Sequence, residues 1–273
     1  MNIEIILSLY AFCFGACLGS FFNVCIYRMP NDLSVVHPRS FCPECKKPIP
    51  LYWNIPIISY LLLIGKSRCC GCSIAIRYLW IEILTAFSAL FLYWHFSGST
   101  HPMTQKWIYS ILILSFIVVT MIDFDHMIIP DEISIGGLIL GLIFSVIFPS
   151  LHLSESHLSS LAISFIGAGV GGGTLLAIAT IGEMAYKKEV MGMGDVKLMA
   201  MIGAIGGWKI VLMTLFLGSL FGSIAGLALI ALKKTKFQSK IPFGPYLALG
   251  ALISLLYRDP IIEFYLNLVL PNY

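Results

Sequence analysis

The sequence predicts an all-α polytopic membrane protein: about eight transmembrane helices, with a small polar, cysteine-rich domain between the first two. Three observations predict it. Only 11% of the 273 residues are charged and 58% are hydrophobic, where soluble domains carry about 25% charged residues. Apolar runs of about 18 residues or more, the length that crosses a bilayer, recur along the chain, and the mean hydropathy is +0.90. Residues 28–77 break the pattern, holding six of the 13 prolines and five of the eight cysteines.

The elements follow in order. Residues 1–27 are the first transmembrane helix, apolar from about residue 3. The start, MNIEIILSLY, carries an acid and no Lys or Arg, so it lacks the basic leader of a secretory signal. Residues 28–77 form the polar domain, and 78–105 are the second helix with its following loop. Residues 106–258 are a membrane domain with spans expected at 106–123, 132–149, 160–183, 196–207, 209–232 and 243–258. The sixth span overall, 196–207, is too short and glycine-rich to cross upright. GAGVGGG, 167–173, is read as close helix packing through small residues. The tail 259–273, with IIEFYLNLVL, is expected to lie at the interface.

Charge distribution sets the orientation. With eight alternating spans, the loops 28–77, 124–131, 184–195 and 233–242, together with Lys197, carry 14 of the 17 Lys and Arg residues. Positive loops stay cytoplasmic. The polar domain and the stretches DFDHMIIPDE (123–132) and MGMGDVKL (191–198) therefore fall on the cytoplasmic side, and both termini outside. The bilayer is an expected partner. No basic stripe points to nucleic acid, so none is expected.

Cys42-Pro-Glu-Cys45 is followed, after 23 residues, by Cys69-Cys70-Gly71-Cys72. Each half supplies a CxxC, and a tetrahedral Zn2+ takes two thiolates from each such knuckle. A reducing cytoplasm disfavours disulfides, and a domain of about 50 residues has too little core to fold unaided. A structural zinc site from Cys42, Cys45, Cys69 and Cys72 is expected, with Cys70 as an extra thiol. Four thiolates close the coordination shell, so the metal is not expected to do chemistry.

Carboxylates near a membrane are functional candidates. Asp123 ends the third span and Asp195 begins the sixth, on the same side of the bilayer. If the two helices adjoin, the carboxyls meet, and one keeps a proton while the other does not. That is the arrangement of an aspartic protease: the ionised member activates water and the protonated one polarises the peptide carbonyl. Gly192 and Gly194 leave room beside Asp195 for the backbone to bend and for an extended substrate to approach. On residue type alone, Asp125 is an alternative to Asp123. A carboxylate-based ion transporter would need acids near the middle of the membrane and a repeat between halves, and neither is seen.

Six motifs in order resemble the type IV prepilin peptidases, membrane aspartic proteases of the GxGD type. They are GSFFNVCIYRMP (19–30), CPEC, NIPIISYLLLIGKSRCCGC, IRYLWIE ending at Glu82, DFDHMIIPD with MGMGD, and IPFGPYLALG (241–250). The resemblance implies that Asp123, seven residues before Pro130, and Asp195 are the catalytic pair. It implies cleavage of the basic leader of type IV prepilins or type II secretion pseudopilins after a glycine, at the cytoplasmic face of a bacterial inner membrane. It further implies methylation of the new N-terminal residue with S-adenosylmethionine, an activity associated with the cysteine domain; a leader peptidase lacking that activity is the alternative. Asn23, Arg28 and Glu82 are candidates for the methyltransferase or substrate site. Asp125, Asp131, Glu132 and Glu189 are candidates for attracting a basic leader.

Overall fold

The computed structural model describes residues 3–42, 44–188, 190–232 and 241–269, and their regular structure is helical. The chain divides into two compact units, residues 1–101 and 102–273.

The first unit contains α1 (Ile3–Arg28), the short α2 (Ile58–Leu62) and α3 (Ile76–Ser97). α1 and α3 run antiparallel in close contact. A Cβ on Gly15 would lie 2.6 Å from the Ala89 Cβ, and one on Gly19 would lie 2.7 Å from the Glu82 Cα. The GxxxG spacing of Gly15 and Gly19 thus lets the two backbones approach, as small residues do inside bilayers. Between these helices the polar segment folds as two tight knuckles. In one, Lys46 N donates to Cys42 O (2.9 Å) and Cys42 N to Lys47 O (2.9 Å); in the other, Gly71 N donates to Ser67 O and Ser67 N to Cys72 O (both 2.8 Å). Gly71 turns at φ 72°, where a side chain would be strained.

The second unit contains α4 (Met103–His126), α5 (Asp131–Ile147), α6 (His157–Tyr186), α7 (Met193–Gly206), α8 (Trp208–Ala231) and α9 (Gly244–Val269). α7 is its centre: ten of its 14 residues are buried. Gly167 and Gly171 of α6 lie so close to α7 that a Cβ on either would overlap the carbonyls of Gly203 and Met199. Ser164 Oγ adds a 2.7 Å hydrogen bond to Ala204 O. On the other flank, Gly141 of α5 packs on Ile205 and Ala204. The GAGVGGG stretch therefore serves helix packing.

Each of the eight apolar segments is helical, but not all eight have the length and hydropathy of a membrane span by themselves. Among the described residues, five helices are long and apolar enough to cross a membrane by themselves: Ile3–Asn31, Ile76–Ser97, Met103–His126, His157–Tyr186 and Trp208–Ala231. α5 has 17 residues and α7 has 14; at 1.5 Å per residue, α7 is only about 21 Å long against a hydrocarbon core of about 30 Å. α7 is covered by other helices, which relieves it of the need to match lipid alone. In the C-terminal tail α9 continues past Arg258 to Val269, kinked at Tyr257 (φ −126°, ψ 19°) with Pro260 inside it.

Candidate active site

Asp123 lies in the last turn of α4, which ends when Met127 takes φ 54° and donates its N–H to Asp123 O at 2.9 Å. Pro130 then caps α5 with an extended backbone (φ −60°, ψ 136°), and its carbonyl accepts from Ser134 N at 3.1 Å. Asp123 is only 5% exposed. Its Oδ2 accepts a 3.0 Å hydrogen bond from Gly244 N, at the start of α9. A carboxylate at a helix C-terminus meets the negative end of that helix's dipole; the N-terminus of α9 offsets this with a backbone donor.

Asp195 lies in the first turn of α7, where the helix dipole favours an anion. It is 8% exposed. Gly192 precedes the helix with an ordinary extended backbone (φ −73°, ψ 138°), and Gly194 is inside the first turn, so neither glycine is needed for a left-handed bend. Gly194 is needed for proximity: a Cβ there would stand 3.0 Å from Ile129 Cβ. Ile129 Cδ1 in turn lies 3.2 Å from the position of a Cβ on Gly244, and that same Cβ would come within 2.7 Å of Asp123 Oδ2. Ile129 is thus the packing piece that links the two aspartate-bearing ends. Gly244 and Ile129 were not singled out from sequence; the Gly-Pro at the head of the last span was the available signal for Gly244.

The candidate leader-binding acids are dispersed in role. Asp125, Asp131 and Glu132 are exposed at the end of α4 and the start of α5, while Glu189 lies outside the described residues. Asp131 is engaged by Lys197, whose Nζ lies 2.7 and 2.9 Å from its two oxygens. That exposed pair ties α5 to α7 and contributes less than about 1 kcal/mol.

In the first unit five sulfurs cluster. Those of Cys42, Cys45, Cys69 and Cys70 lie within 4.8 Å of one another. Cys72, the expected fourth ligand, has its sulfur 3.6 Å from Cys42 and 3.2 Å from Cys70. Cys45 and Cys69 are 3.1 Å apart. Four thiolates about 2.3 Å from a tetrahedral Zn2+ would be separated by about 3.8 Å, so the donor set fits this metal with a small expansion. The Cys45 backbone N–H and the Ser67 hydroxyl pull the Cys42 thiol down to about 5, so it is anionic at neutral pH. Sulfur–sulfur hydrogen bonds to Cys69 and Cys70 push Cys45 and Cys72, respectively, up to about 12.

Asn23, Arg28 and Glu82 line one cavity of about 350 Å3 in this unit, together with Cys42 and Cys72. Asn23 Nδ2 donates to Tyr78 O at 3.1 Å, joining α1 to α3. The Arg28 guanidinium donates to Ser34 O (2.8 Å) and Pro38 O (2.7 Å), so it clamps the loop after α1. Glu82 Oε2 accepts from Ile57 N at 2.7 Å. Ile57 is a β-branched residue at φ 62°, a strained conformation that this bond helps to hold.

The family model of the bacterial peptidase A24 N-terminal domain matches residues 13–96, and that of the type IV leader peptidase family matches residues 110–227. A Pseudomonas aeruginosa protein named prepilin leader peptidase/N-methyltransferase is 34% identical over 276 residues, covering 93% of this chain and 91% of its own. Proteins of the same name from Stutzerimonas stutzeri (33% identical, 95% and 93% covered) and Legionella pneumophila (30%, 93% and 92%) are also similar. No solved structure matches.

Proposed function

The chain belongs to the type IV leader peptidase family, and from that premise we propose that it is a membrane-embedded aspartic endopeptidase. It cuts the leader from type IV prepilins or pseudopilins after a glycine, at the cytoplasmic face of the bacterial inner membrane. It then methylates the new N-terminus. The observation that carries the reading is the pair of buried carboxyls, Asp123 and Asp195, held at the end of one helix and the start of another.

Two such groups share one proton, because both cannot easily ionise in a dry site. The ionised carboxylate takes a proton from water as the water attacks the scissile carbonyl. The protonated one donates a hydrogen bond to the carbonyl oxygen, and its proton later reaches the departing amine. Gly244 N–H fixes the rotamer of Asp123, and Ile129 keeps that end dry. A prepilin presents a polar leader followed by an apolar helix, so a protease with aspartates at that depth meets the bond without unfolding its substrate.

Cys42, Cys45 and Cys69, with Cys70 or Cys72, would hold one Zn2+, which supplies cross-linking to a domain with little core of its own. S-adenosylmethionine supplies the methyl group for the second reaction. The test is purified enzyme in lipid with a prepilin, read by mass spectrometry with and without the methyl donor. Asp123→Asn and Asp195→Asn are each expected to stop cleavage while a pre-cut pilin still gains a methyl group. Cleavage by either variant at the wild-type rate overturns the assignment.

A further inference from the structure

Residues 28–77 carry seven Lys or Arg against two acids, and within this basic segment α2 exposes a row of large apolar side chains. Ser59 is buried, while Ile58, Leu61, Leu62 and Ile64 are 54, 61, 69 and 85% exposed. Hydrogen bonds set their depth. Ile57 N donates to Glu82, which is six residues into α3 and so about 9 Å along it. At the other end, Ile74 N donates to Gly65 O at 2.7 Å and the Tyr60 hydroxyl donates to Ile74 O at 3.3 Å, just ahead of α3. α2 therefore lies beside the first turns of α3. That helix is long and apolar enough to cross a membrane. Trp80 and Trp94 are exposed near its two ends, where aromatic belts form, and Glu82 lies on the inner side of Trp80. The row thus begins at the depth of acyl chains.

The backbone here is closed on itself. The N–H groups of Ser59, Leu61, Leu63, Ile64 and Gly65 donate to the carbonyls of Ile55, Ile57, Ser59, Leu61 and Tyr60. A surface loop could leave such groups to water; a segment against lipid cannot. Ile57 and Ile64 turn the chain into and out of the row at φ 62° and 50°, a conformation costly for β-branched residues. Lys66 and Arg68 follow directly and are exposed, and Lys66 bridges to Ser73, level with the start of α3.

We propose that residues 57–64 are a wedge inserted into the leaflet beneath the cysteine domain, with Ile58, Leu61, Leu62 and Ile64 among acyl chains and Lys66 and Arg68 at anionic phosphates. The wedge gives the domain a third hold on the bilayer, between α1 and α3. The knuckle that follows, Ser67 to Cys72, is thereby fixed at headgroup level. The inference does not depend on which reaction the enzyme performs.

The test uses the full chain in nanodiscs of phosphatidylethanolamine and phosphatidylglycerol with a phospholipid bearing a diazirine in its acyl chain. Peptides are mapped by mass spectrometry after irradiation. Lipid adducts are expected on 57–64 at a yield comparable to that around Phe87, an exposed residue of α3. Leu61→Asp with Leu62→Asp removes no core, since both side chains are exposed. It should cut the adducts on 57–64 at least about tenfold, because acids are costly in hydrocarbon, while those around Phe87 stay at the wild-type yield and show that the fold is kept. Leu61→Phe with Leu62→Phe preserves the apolar face and should preserve the adducts. A phosphatidylglycerol probe should label 57–66 about two- to fivefold more than a phosphatidylcholine probe, and Lys66→Gln should narrow that ratio, since basic residues at the surface attract anionic lipid. Absence of lipid adducts on 57–64 in the wild type overturns the proposal, whether the segment is instead labelled by a water-soluble carbene reagent or crosslinks to a prepilin or to a second copy. So does equal labelling of the aspartate variant and the wild type. Equal labelling by the two headgroups overturns the phosphate contact.

Discussion

Gly244→Ala tests how tightly the first aspartate is held. Gly244 N–H donates to Asp123 Oδ2 at 3.0 Å. An added Cβ would stand 2.7 Å from that same oxygen and 3.2 Å from both Asp123 Cγ and Ile129 Cδ1. The first distance is well inside contact, and Ile129 blocks one way out, so the carboxylate must swing off the N–H. A hydrogen bond to a charged group contributes about 1.5–3 kcal/mol, and a displacement of about 1 Å in a catalytic group costs about 100-fold. The two routes agree on a fall in kcat of roughly 10- to 150-fold. The fold should survive, because Gly244 needs no left-handed backbone. The assay is the rate of prepilin cleavage in proteoliposomes, with apparent melting temperature and methylation of a pre-cut pilin as controls. Gly169→Ala, with nothing within 4 Å of its added Cβ, serves as the neutral substitution. Cleavage by Gly244→Ala at the wild-type rate would refute the claim that the head of α9 positions Asp123.

Other consequences are more direct. Gly167→Ala would press a methyl into the Gly203 carbonyl, and forcing α6 from α7 should cost about 2–3 kcal/mol, seen as a lower apparent melting temperature. Cys42→Ser removes the thiol that is anionic at neutral pH; zinc content should fall and the polar domain should become protease-sensitive, while retention of full zinc would argue against that ligand. His152, in the turn between α5 and α6, is pushed down to about 4 by burial. Its neutral form is the folded one, so its contribution is intact above about pH 6.5 and is lost as pH falls from there to about 4, by no more than about 3 kcal/mol. Thermal unfolding across that window should show the decline, and His152→Gln should flatten it.

The elements with a local signature were legible in advance. Apolar length placed all eight helical segments, and paired CxxC spacing marked the sulfur cluster. Asp195 stood out because an acid beside two glycines at a helix start is costly and rare in so apolar a chain. Spacing did not settle which sulfurs gather: Cys70, read as extra, lies inside the group of four within 4.8 Å. Knuckle geometry, rather than residue separation, decides which thiols point inward.

By itself the sequence determined where helices form and which side chains are chemically conspicuous, since hydropathy and residue type act within a turn or two of chain. Only the tertiary structure decided which helix is central and what holds the first aspartate. α7 looked merely short until its glycine-lined neighbours enclosed it, and Gly244 meets Asp123 across 121 residues. Such contacts arise from how separate helices pack, and no local pattern encodes a distance between them.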